Sequence, residues 1–152
     1  MRIALTGNPN SGKTTMYNAL TGRNEKIGNW AGVTVDRKEN PIKKEYCSGS
    51  KELIAVDLPG AYSMSPYTSE ESITSGYVKN EHPDVIINSG VAGSLSREVS
   101  IGDIVISKDC VQHDMDTTPI GDPKGLISGL NVIEINADAN IAKKLGECCE
   151  KL

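Results

Sequence analysis

Gly7-Asn8-Pro9-Asn10-Ser11-Gly12-Lys13-Thr14 lies between a strand-like run, Arg2-Ile3-Ala4-Leu5, and a stretch that reads as a helix from Lys13. It fits G-x-x-x-x-G-K-S/T letter for letter, and in the strand-loop-helix context that the pattern requires. The two glycines let backbone N–H groups curl around phosphate oxygens, and the helix N-terminus adds its partial positive charge. Lys13 would reach the β- and γ-phosphates. The Thr14 hydroxyl would ligate Mg²⁺, a hard cation that keeps most of its waters and takes few protein ligands. The plain alternative is a glycine turn between a strand and a helix.

Outward from this loop, short β-rich runs alternate with helical stretches, which argues for an α/β layer architecture. Strands are expected near 2–6, 34–42, 52–57, 84–88, 102–107 and 131–135, and helices near 13–20, 68–80 and 139–151. The expected fold is a single α/β domain, a three-layer sandwich around a mainly parallel sheet. Gly22 suits the left-handed end of the first helix. Ile141, Leu145 and Leu152 share one face of the last, as in an amphipathic helix. Residues 108–130 are punctuated by Asp114, Asp116, Pro119, Gly121, Asp122, Pro123, Gly125 and Gly129. They read as a long loop or irregular excursion, and a loop of that length usually means function, an interface or a misassigned element.

At 152 residues the chain can form one core, and with no Phe and one Trp that core is aliphatic. The net charge of −4 comes from interleaved acids and bases, so no basic stripe is available for a nucleic-acid backbone. Apolar runs such as Val85-Ile86-Ile87 and Ile104-Val105-Ile106 are strand-length, far below the ~20 residues that cross a bilayer. No signal peptide is expected, and the location expected is cytoplasmic. Cys47, Cys110, Cys148 and Cys149 match no C-x-x-C pattern and read as reduced thiols.

Two further positions suit a nucleotide switch. Thr34, in Gly32-Val33-Thr34-Val35, would close on Mg²⁺ and the γ-phosphate, and Asp57, in Asp57-Leu58-Pro59-Gly60, would hold the metal's water shell from a strand end. Together with the loop, these stretches carry a resemblance. Asn8 to Thr15, Asn29-Trp30-Ala31-Gly32-Val33-Thr34-Val35 and Asp57-Leu58-Pro59-Gly60-Ala61-Tyr62-Ser63 resemble three consecutive signatures of the G domain of the ferrous-iron transporter family FeoB, over residues 1 to about 88. The resemblance implies GTP and GDP as ligands held by Asn8, Pro9, Asn10, Ser11, Gly12, Lys13, Thr14, Thr15 and Gly60. It also implies Mg²⁺ on Thr14, Thr34 and Asp57, catalytic roles for Lys13 and Thr34, and in some members K⁺ through the position of Asn10. Ala61 stands where Ras-like enzymes place a water-orienting Gln, so hydrolysis is expected to be slow.

The Asn-Lys-x-Asp guanine motif that a GTPase would carry next does not occur. Asn136-Ala137-Asp138 has the wrong spacing and reads as a helix cap. From about residue 82 the chain instead resembles methylthioadenosine/S-adenosylhomocysteine nucleosidases, through Pro83 to Ser94, Ile101 to Ser107 and His113-Asp114-Met115-Asp116. That resemblance implies a ribose-and-base loop at Ser89 to Gly93 and a possible homodimer through 108–130. It offers no catalytic carboxylate pair, so no nucleosidase activity is expected. His113 and Asp114 lack further ligands at metal-site spacing. The sequence thus reads as a chimera of residues 1–88 and 82–152 joined at a shared strand, 84–88, in an engineered or recombined protein. The alternatives are a folding test protein with no activity and a natural, divergent small GTPase.

Overall fold

Ala4 and Leu5, adjacent in sequence and both fully buried, face opposite layers. In a strand, successive side chains alternate sides. Ala4 accordingly packs with Val56, Leu58 and Tyr77, while Leu5 packs with Tyr17, Ile42 and Ala55. A strand covered on both faces accounts for the apolar run Ile3-Ala4-Leu5. The computed structural model describes residues 1–25, 36–49, 51–62, 67–114, 116–127 and 131–150.

The chain forms two compact units, Met1–Gly93 and Ser94–Leu152. In the first, β1 (Arg2–Thr6), α1 (Lys13–Thr21), β2 (Lys38–Pro41), β3 (Ile54–Asp57), α2 (Ser69–Glu81) and β4 (Val85–Asn88) follow in order. The sheet order is β2-β3-β1-β4. β1 lies parallel to both β3 and β4, with Leu5 level with Asp57 and Ile87, and β2 runs antiparallel to β3. Tyr17 of α1 and Tyr77 of α2 cover opposite faces, giving three layers. α1 ends at Gly22, whose φ of 72° and N–H bond to the Asn18 carbonyl make a left-handed stop. α2 starts at Thr68, which accepts the Glu71 N–H, and ends at His82, before Pro83.

The second unit holds an antiparallel pair, β5 (Asp109–Val111) with β6 (Glu134–Asn136), and α3 (Ala139–Cys149). Asp138 caps α3 by accepting the Asn140 and Ile141 N–H groups at 2.9 Å, the capping role expected of Asn136-Ala137-Asp138.

Helix positions agree with expectation to within a residue or two, but several strands differ. The run 102–107 is not a strand. Gly102 has a φ of 96°, the Asp103 N–H bonds the Ser100 carbonyl, and the Asp103 carboxylate accepts the Ser100 N–H. This turn interrupts the extended backbone at the start of the run, no strand among the described residues pairs with it, and Ile104 and Val105 are exposed. The strand expected at 131–135 begins at Glu134, because Asn131 has a φ of 54° and donates to the Ile127 carbonyl. The strand at 34–42 narrows to Lys38–Pro41, and positions 34 and 35 lie outside the described residues. Residues 108–130 are not one long loop. They contain β5, a 3₁₀ turn at Thr118–Ile120 and a bridge from Ile127 to Val132. Among the described residues no helix is long and apolar enough to cross a membrane.

Leu5 is fully buried between β3 and α1. Leu5→Ala is expected to cost about 2–5 kcal/mol of unfolding free energy, read from the urea midpoint.

Candidate functional site: a phosphate-binding loop

The loop from Gly7 to Gly12 joins β1 to α1 at the ends of three parallel strands. Crevices at the carboxyl ends of such strands are where open α/β sheets bind ligands. Two close approaches fix its course. A Cβ on Gly7 (φ 142°) would stand 2.0 Å from the Ser89 carbonyl oxygen just past β4, and one on Gly60 would stand 2.6 Å from the Pro9 Cα. Only residues without a Cβ fit either place. The Ala61 N–H donates to the Gly7 carbonyl at 3.2 Å and ties the segment after β3 to the loop. Asn10, with a φ of 60°, takes the left-handed turn that asparagine tolerates.

Lys13 curls back into the loop. Only 6% exposed, it donates through Nζ to the carbonyls of Gly7 (3.1 Å) and Asn8 (2.7 Å) and to Ser11 Oγ (3.4 Å). Burial lowers its pKa, and the charge of Asp57 opposes that shift. One residue on, Thr14 Oγ1 donates to Asp57 Oδ2 at 2.8 Å. Asp57 is 8% exposed, and its Oδ1 is buried with no hydrogen-bond partner among the described residues. Burial raises the Asp57 carboxyl, against the Thr14 hydrogen bond and the charges of Lys13 and Lys38. A hydroxyl and a carboxylate in contact, with one buried oxygen free, are the hard oxygen ligands a partly hydrated Mg²⁺ takes, so the residues present fit that ion.

Asn8, Pro9, Asn10, Ser11, Gly12, Lys13, Thr14 and Thr15 thus lie on one loop and the first turn of α1, with Gly60 against Pro9 and Asp57 against Thr14. Thr34 lies outside the described residues. The sequence reading missed Glu71. This 6% exposed carboxylate accepts the Tyr62 N–H on Oε1 at 3.1 Å and the Tyr67 N–H on Oε2 at 2.9 Å, holding both ends of the segment that follows the Asp57 motif. Thr68-x-x-Glu71 has the spacing of a capping box, a signal that was available in the sequence.

With this geometry in place, comparison with known proteins is decisive. The family model described as "Ferrous iron transport protein B" matches residues 1–107. The chain belongs to that family. The Fe(2+) transporter FeoB of Methanocaldococcus jannaschii is 46% identical over 97 residues, covering 64% of this chain and 14% of the relative. That of Salmonella typhimurium is 42% identical over 103 residues, covering 65% and 13%. The chain therefore spans about one seventh of the length of the curated relatives it matches. Among solved structures, NFeoB from S. thermophilus bound to GDP·AlF4⁻ and K⁺ is 49% identical, with a TM-score of 0.50 over 59% of this chain and 33% of the other. The mGMPPNP-bound form is 50% identical, with the same TM-score over 58% and 32%. The family match runs to residue 107, beyond the limit of about 88 expected from the motifs, and so takes in two of the three blocks expected to be nucleosidase-like.

The raised Asp57 carboxyl carries a stability consequence. A carboxyl whose pKa is higher folded than unfolded contributes stability at low pH, which is lost as pH rises from the unfolded value, ~3.9, through the folded one. Asp57→Asn is therefore expected to raise the Tm of the metal-free protein at pH 7, with the gain shrinking toward pH 4. Thermal denaturation in chelator across that range checks it.

Proposed function

We propose that residues 1–93 bind GTP and GDP with Mg²⁺ and hydrolyse GTP slowly, as the G-domain portion of a FeoB-type protein. The observation that carries this reading is the buried Lys13 ammonium, clasped by the loop's own carbonyls, one residue before a Thr14–Asp57 pair whose free oxygen fits Mg²⁺. Backbone amides of residues 9–14 and Lys13 would hold the phosphates, and Asn8, Thr15 and Gly60 would complete the lining. Thr14, Asp57 and Thr34 would hold Mg²⁺, and bound there the ion would offset charge on the terminal phosphates. Thr34 would join Lys13 in catalysis. K⁺ would sit beside Asn10, in keeping with the K⁺ named for the S. thermophilus structure. With Ala61 after Gly60, no side chain at that position can orient water, which supports slow turnover.

Coupling to ferrous-iron transport in the cytoplasm belongs to this proposal through the family alone. A nucleosidase-derived origin for residues 82–152, in a recombined chain that dimerises through 108–130, rests on the sequence blocks alone. The family match through residue 107 weighs against a junction as early as 88.

Calorimetric titration with GDP and Mg²⁺ tests the main reading. Lys13→Ala is expected to weaken binding by about one to two decades, the worth of hydrogen bonds to a charged group. Unchanged affinity in that variant would refute it. Because the Asn-Lys-x-Asp motif is missing from the sequence, GDP should be preferred over ADP by well under about a thousandfold in parallel titrations.

A further inference from the structure

A lysine directly across a ladder from a metal-binding carboxylate is a competitor for it. β2 and β3 are antiparallel with Lys38 opposite Asp57. Directly opposite residues point to the same face, with Cβ atoms about 4.5–5.5 Å apart. The face is the one covered by α1, since Asn40, two residues along β2, donates to the hydroxyl of Tyr17. A flexible lysine stem therefore brings its ammonium within reach of Asp57, and the charge of Lys38 acts on that carboxyl.

The Lys38 ammonium is nevertheless bonded to the Glu25 carboxylate. Glu25 is itself pinned to α1. The Asn18 side-chain amide donates to the Glu25 carbonyl at 2.9 Å, and its oxygen accepts the Glu25 N–H at 3.0 Å. Asn18 stands one helical turn beyond Thr14, whose hydroxyl occupies the other oxygen of Asp57. The same helix thus supplies a ligand for the metal and the anchor for the group that diverts Lys38.

We propose that Glu25 is a positioning residue for the metal site: by engaging Lys38 it keeps that ammonium off Asp57 and leaves Oδ1 to Mg²⁺ and its waters. This rests on the Mg²⁺-nucleotide reading above. Without Glu25, Lys38 pairs with Asp57, and the metal must break that pair before it binds. The cost falls on metal affinity and not on the protein's interaction with the phosphates.

The test is titration of Mg²⁺ into the full chain saturated with GDP, followed by calorimetry, with metal-free GDP affinity and Tm measured beside it. Glu25→Gln is expected to raise the apparent Mg²⁺ Kd about three- to tenfold, between the worth of an exposed ion pair and of a charged hydrogen bond. Its metal-free GDP affinity should not move. Lys38→Met should bind Mg²⁺ at least as tightly as the unchanged protein, and the double variant should return to the Lys38→Met value. Glu25→Asp, with the charge on a shorter stem, should fall between, and it serves if Glu25→Gln does not fold. If the pair only fastens β2, both single variants lose Mg²⁺ affinity alike and the double variant is no better. That result, or an unaltered Kd in Glu25→Gln, overturns the inference. GDP binding indifferent to Mg²⁺ in the unchanged protein would instead defeat the reading of the site itself, and this inference with it.

Discussion

The phosphate loop can lie across the ends of β1, β3 and β4 only because two Cβ atoms are missing. At Gly7 the obstacle would be the Ser89 carbonyl and at Gly60 the backbone of Pro9, both nearer than 3.0 Å. Backbone cannot yield as the tip of a side chain can, so a substitution at either glycine must push the loop off the strands. The hydrogen bonds follow the same arrangement. Ser89 donates to the Thr6 carbonyl, Leu58 to that of Leu5 and Ala61 to that of Gly7, so the bonding between strands continues past their ends into the loop. Sheet register and loop position are therefore one constraint. A shift of β4 against β1 would move the Ser89 carbonyl away from Gly7 and release the loop.

On that frame sit two buried charges of opposite sign. Burial pushes Lys13 down and Asp57 up, each toward its neutral form, and each partly relieves the other. Taking ions out of water is costly unless hydrogen bonds replace the lost hydration. For Lys13 the loop carbonyls of Gly7 and Asn8 do so, and for one oxygen of Asp57 the Thr14 hydroxyl does. The remaining cost is a load on stability of the kind that functional sites carry. Further opposite charges meet along β2, with Lys38 engaged by Glu25 and Arg37 placed between Glu39 and Glu81 on the other face. The alternation of β2 sends Lys38 toward the phosphate helix and Arg37 toward Tyr77 of α2.

Family similarity and compactness have different limits in this chain. The match to the family extends to residue 107, while the unit that carries the loop closes at Gly93. The intervening residues 94–107 form no helix or strand. Their polar side chains serve the local backbone instead, Ser94 taking the Ser96 N–H and Asp103 that of Ser100. Likeness of letters thus continues past the boundary of the first compact unit.

The sequence by itself determined the phosphate loop, α1, α2 and the strands that flank them. Each of these is specified locally, by a glycine spacing, a cap, or an apolar run bounded by turn residues. It also assigned Asp57 and Thr14 to one expected site, because both positions are read from short motifs, and the fold brings the two into contact. What only the tertiary structure decided is which charges meet. Glu71 reaching Tyr62 and Tyr67, Glu25 holding Lys38, and Lys38 facing Asp57 depend on strand register and on the return of the chain to α1. The fate of Ile104-Val105-Ile106 was likewise not legible in its letters. A β-prone run becomes a strand only where a partner offers its hydrogen bonds, and among the described residues no strand lies beside this one. Local propensity is written residue by residue, whereas pairing is a property of two segments at once, and only the folded chain brings the second segment into place.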